Sequence, residues 1–180
     1  QYRPALESNL AAALAYLDAL EARGRYTHMV WPVHCEVGRF GHGVHAAVSD
    51  ALAQWQLDRG VAITNVFKGL NPMTEHYSAF MAEVPDPADP STALNTRLLA
   101  QLDAADTLIV AGEAGSHCVR ASVEHLVLHL PSARPERIVL LTDCMSPVAG
   151  FEAAQADFLS DMRARGVRLT DSIGYAPTAA

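Results

Sequence analysis

Val110-Ala111-Gly112-Glu113-Ala114-Gly115-Ser116-His117-Cys118-Val119-Arg120 joins a short apolar run, Thr107 to Ala111, to a stretch of helical apolar spacing that continues to Leu130. The run before it reads as a strand and the stretch after it as a helix. Two glycines let the backbone turn tightly between them, so Cys118 arrives where the helix begins. Unpaired N–H groups and the positive end of the helix dipole meet there, and both favour a thiolate. A free cysteine can equally be a small buried hydrophobe, so position alone leaves both readings open. His117 reads as a pocket wall or packing residue, because neighbours at a helix start point in different directions. Cys35, after His34, and Cys144, after Asp143, lack an equally favourable helix start.

The same alternation extends outward. Toward the C-terminus the pattern predicts a strand over Arg137 to Leu141, a helix from Phe151 to Arg165 and a strand from Val167 to Thr170. Toward the N-terminus it predicts a helix from Pro4 to Leu20 closed by Gly24, and a strand from Tyr26 to Trp31 stopped by Pro32. A glycine-rich stretch, Gly38 to Gly43, then leads into a helix carrying Val44, Val48, Leu52 and Trp55, which Gly60 ends. Val61 to Phe67 reads as a further strand, and the proline-laden connection from Pro72 to Pro90 as a long loop. Ser91 or Thr92 is the expected cap of the helix through Leu98 and Leu99. Strands separated by helical crossovers imply an α/β fold, a mainly parallel sheet with helices on both faces, in one domain spanning 1–180. Sites in such folds gather at the carboxyl ends of strands, where Phe67-Lys68-Gly69, Gly112 to Cys118, and Asp143-Cys144 fall.

Composition narrows the function classes. The 180 residues are half hydrophobic and carry a net charge of -7, with basic residues scattered, so no cationic face is offered to nucleic acid. No run has the uninterrupted apolar length of a bilayer span, which argues against a membrane partner. Three cysteines, an odd number in a chain able to fold without staples, suit a reducing compartment, and a cytoplasmic location is expected. Only one of the thirteen basic residues is lysine, Lys68. An ammonium can shift its pKa or act as a compact proton donor, which a guanidinium cannot, although compositional bias explains a lone lysine as readily.

Two further segments carry chemistry. Phe67-Lys68-Gly69 leads through a turn into Glu75-His76-Tyr77-Ser78-Ala79-Phe80, which would set a cation beside an aromatic pocket. Trp31-Pro32-Val33-His34-Cys35, continuing to Gly43 and His45, holds zinc-binding residue types, but the spacing fits no closed four-ligand site. One histidine given to an open site is the reading this loop supports.

In this order the three segments closely resemble the isochorismatase-like cysteine hydrolases, particularly the nicotinamidase branch. The matching motifs are Trp31 to Cys35 with Gly38 to Gly43, Lys68-Gly69 with Tyr77 to Phe80, and Gly112 to Val119, so the likeness runs from about Trp31 onward. The resemblance implies a three-layer fold, Cys118 as nucleophile toward a small amide, Lys68 beside it, and an aspartate that shuttles the proton. It also implies a cis peptide between Glu113 and Ala114, with the N–H groups of Ala114 and Cys118 meeting the oxyanion. Trp31, Tyr77, Phe80 and His117 would line the pocket, and His34 would contribute to a divalent metal, zinc, iron or manganese. No cofactor is required for the thiol chemistry itself.

The departure is at the front. The family's aspartate ends a first strand, whereas this chain opens with a helix, so the sheet is expected to lack its first two strands. The domain is then incomplete at its N-terminus, residues 1–25 forming a helical insert. The aspartate would come from a missing N-terminal segment or a second polypeptide, and a homo-oligomer is expected. Two other functions compete: a non-catalytic interaction or regulatory relative, and a hydrolase of N-carbamoyl or ureido compounds, for which Glu113 and His117 are the suggestive residues.

Overall fold

The computed structural model describes residues 4–175. The chain divides into two compact units, Leu17–Val66 and the rest, which comprises Gln1–Tyr16 and Phe67–Ala180.

The larger unit is built on a three-stranded parallel sheet in the order β1-β2-β3, with β1 Leu108–Val110, β2 Ile138–Leu141 and β3 Arg168–Thr170. Leu108 pairs with Ile138, and Leu140 with Leu169. Ile138, Val139 and Leu140 are fully buried. A central parallel strand covered on both faces requires such a continuous apolar run. The flanking helices are α3 Thr96–Asp103, α4 Cys118–His129 and α5 Glu152–Ala164. Val119, Val123 and Leu126 of α4 and Phe158 and Met162 of α5 follow helical spacing and join the strands in one core with Phe80 and Leu99. Burying an aliphatic or aromatic side chain of this kind contributes about 1.5–3 kcal/mol. At the far end of the sheet, Arg137 donates to the Asp103 carboxylate, to its carbonyl and to Ser132, tying α3 to the start of β2.

The smaller unit holds the second half of α1, Leu10–Arg23, and α2, Ala46–Arg59. Gly60, at φ 62°, closes α2 in the left-handed conformation that glycine adopts without steric cost. A cavity of about 400 Å³ lies between Leu17, Leu20, Tyr26 and His28. No helix among the described residues is long and apolar enough to cross a membrane.

Three expectations are corrected. The segments Tyr26 to Trp31 and Val61 to Phe67 are not strands. Their β-branched and aromatic content suits a pleated surface, but neither has a ladder partner among the described residues, and strand propensity is expressed only through such pairing. The helix through Leu98 is capped by Asn95, whose side-chain oxygen accepts from the Leu98 N–H, rather than by Ser91 or Thr92. Those two belong to a preceding 3-10 turn capped by Asp89.

Candidate active site

Parallel strands bring the carboxyl ends of β1 and β2 to one edge, and the Gly112 to Cys118 turn sits on the loop after β2. Gly112 N donates to Cys144 O at 2.9 Å, and Gly115 N to Ser146 O at 2.8 Å. The buried Ser116 hydroxyl accepts from Val148 N at 2.9 Å. Gln155 of α5 packs so closely on Gly115 that any side chain there would collide with it. The chain is therefore turned and backed on two sides before Cys118 opens α4.

Within the turn, the Glu113–Ala114 peptide bond is cis. The Ala114 carbonyl accepts from the N–H groups of both His117 and Val119, at 3.0 Å each. Among the described residues, the backbone hydrogen bonds of this turn leave out the N–H groups of Glu113, Ala114, Ser116 and Cys118.

Lys68 reaches this point from a distant part of the sequence. Its ammonium donates to the His76 carbonyl at 2.8 Å and lies 3.5 Å from the Cys118 sulfur. The loop from His76 onward is laced to α4: Ala79 N donates to the Ser122 hydroxyl at 3.0 Å, and that hydroxyl donates to the Cys118 carbonyl at 2.7 Å. One residue back, the buried Ser78 hydroxyl is 2.8 Å from Nδ1 of His125. Burial and the nearby Lys68 charge hold the His76 imidazole below the usual histidine range.

The other residues singled out by sequence fall in several places. His117 is buried between Tyr77, 5.5 Å from it at 58°, and Phe151, 4.7 Å from it at 75°. Burial, and then the Arg120 charge, push its pKa down. Phe80 lies in the hydrophobic core. Trp31 and His34 lie in the smaller unit. Nδ1 of His34 is 2.6 Å from the Pro32 carbonyl. Among the described residues no group of three or more histidine, cysteine, aspartate or glutamate side chains gathers to hold a metal.

The acids at this edge are engaged. Glu113 accepts from the Ser146 N–H and hydroxyl at 3.1 and 2.8 Å. Asp143 accepts from the Ser172 N–H and hydroxyl, and chiefly for that reason its carboxyl stays below its ordinary range. Ser116, Ser122 and Ser146 were not singled out by sequence. Of the three only Ser122 left a signal, one helical turn beyond Cys118 and so on its face.

No family model and no curated protein matches the sequence. Solved structures do match it. Yeast nicotinamidase Pnc1p, bound to the inhibitor nicotinaldehyde, superposes with a TM-score of 0.57 at 18% identity, covering 81% of this chain and 60% of that one. The α/β fold of this chain is similar to part of the fold of these structures. A second structure of the yeast nicotinamidase gives a TM-score of 0.53 at 20% identity, over 80% of this chain and 59% of that one. An Acinetobacter baumanii nicotinamidase and pyrazinamidase gives 0.56 at 20% identity, over 81% of this chain and 61% of that one. Against each nicotinamidase the chain spans about three fifths of the other's length.

Proposed function

We propose that this protein is a cysteine-dependent amidase acting on a small planar amide of the nicotinamide type. The observation that carries the reading is the approach of Lys68 to Cys118 at the start of α4, 3.5 Å between ammonium and sulfur. A fixed cation and a helix N-terminus both stabilise a thiolate. The nicotinamidase fold supports the choice of substrate class.

In this mechanism the Cys118 thiolate adds to the amide carbonyl and the carbonyl electron pair moves to oxygen. The N–H groups of Ala114 and Cys118 are the donors for that oxygen, and donors set in advance stabilise charge that appears only in the transition state. The amide nitrogen takes a proton and leaves as ammonia, and water then hydrolyses the thioester to release the acid. Tyr77 and His117 would border the place taken by an aromatic substrate. Proton transfer needs a carboxylate, and Glu113 and Asp143, beside this turn, already accept from Ser146 and Ser172. An aspartate supplied from outside the described residues, by a further segment or a second polypeptide, is the proposed carrier.

Ammonia release from nicotinamide by purified full-length protein tests the reading. Release that Cys118→Ala abolishes while circular dichroism is unchanged supports it; no release from nicotinamide or related amides, with Cys118 unmodified, leaves a non-catalytic relative of the fold. Intact mass of the active material tests the carboxylate. A species larger than these 180 residues, or one bound to a second polypeptide, is expected, whereas activity from these residues alone would return the role to Glu113 or Asp143.

A further inference from the structure

We propose that Glu113 is a positioning residue for the oxyanion donors, acting through Ser146, rather than a proton carrier. The inference rests on the amidase reading and deepens it. Three observations on one short stretch carry it. The two oxygens of the Glu113 carboxylate accept from the N–H and the hydroxyl of Ser146, at 3.1 and 2.8 Å, and a two-point contact fixes rotation as well as distance. The Ser146 carbonyl in turn accepts from Gly115 N at 2.8 Å. Ser146 thus grips the residue on each side of Ala114.

The Ala114 carbonyl is held as well, by His117 and Val119, while its N–H takes no part in the turn's backbone bonds among the described residues. Held residues on both sides narrow the orientations open to that N–H, which favours a preorganised donor. The contact also directs the carboxylate toward two donors of its own. An uncompensated carboxylate one residue from a developing oxyanion would oppose the charge it is meant to tolerate.

Two thiol reactions of the full-length protein separate donor placement from thiol reactivity. With pyridine-3-carbaldehyde the Cys118 thiolate adds to the carbonyl carbon, the π pair moves to oxygen, and nothing leaves, so the adduct needs the oxyanion donors. With iodoacetamide the sulfur displaces iodide and no charge forms on oxygen. Ser146→Ala and Glu113→Ala should each weaken aldehyde binding about tenfold or more, as a misplaced donor does, while the alkylation rate of Cys118 is unchanged. The double variant should be no weaker than the worse single, because both remove one interaction. Ser146→Thr, which keeps both donors, should restore binding. Unchanged aldehyde binding in the single variants overturns the proposal, as does an equal fall in both reactions, which marks a merely structural role. A wild-type protein that is alkylated slowly at Cys118 and binds no aldehyde overturns the amidase reading itself, a result distinguishable from either.

Discussion

The Lys68 ammonium lies 3.5 Å from the Cys118 sulfur although fifty positions separate the two residues. The sole lysine of the chain thus meets one of its three cysteines at the start of a helix. Neither the helix nor the lysine loop creates this environment by itself.

The thiols should differ in reactivity. At neutral pH, alkylation followed by peptide mapping is expected to label Cys118 well ahead of Cys144. Partial burial and the adjoining Asp143 carboxylate push the Cys144 thiol up, out of its reactive form, whereas Cys118 faces a cation. Labelling of Cys144 or Cys35 with Cys118 inert would reverse the assignment of the nucleophile.

Lys68→Arg should not rescue function. A planar guanidinium cannot occupy the compact position between the His76 carbonyl and the Cys118 sulfur. A fall in kcat of about a hundredfold or more is expected in the steady-state assay. Near-normal turnover would reduce Lys68 to a general positive charge.

Acid should destabilise the fold through two histidines. His76 and His117 have pKa values below the ordinary 6.5, mainly because burial disfavours the charged imidazole. The unfolded chain therefore takes up protons first as the pH falls, so their contribution is complete above about 6.5 and declines below it. Urea midpoints measured across this window should fall with pH, and the fall should be shallower in His76→Gln. An identical slope in that variant would assign the acid sensitivity to other groups.

Phe158→Ala should cost about 3–5 kcal/mol in urea unfolding, the usual penalty for emptying a well-packed aromatic position. Phe158 is 1% exposed and belongs to the core cluster beneath the sheet. A loss below 1 kcal/mol, with m unchanged, would mean that the site collapses without leaving a cavity.

The C-terminal half was legible because its signals are local. Ile138 to Leu140 and the apolar spacing of Val119, Val123 and Leu126 each demand one structure and are buried as that structure requires. Val61 to Phe67 carries as strong a strand signal, yet a strand exists only with a neighbour, and the neighbour is a tertiary fact that no window of sequence contains. The site divides in the same way. Lys68 and Cys118 were conspicuous by type and place, and family resemblance suggested their association, but spacing could not. Ser146 was invisible, and the helical spacing that put Ser122 on the face of Cys118 gave it no role, since a serine declares its role only through the groups it touches.

Ser122 deserves a practical reading. Its hydroxyl accepts from the Ala79 N–H and donates to the Cys118 carbonyl, so the loop that carries Ala79 is fastened to the helix that Cys118 opens. Anyone reshaping this loop to alter substrate preference would also be handling the mount of the thiol. On the proposed function, specificity and reactivity are coupled through this hydroxyl, and libraries that vary residues 76–80 should be screened with residue 122 varied alongside them.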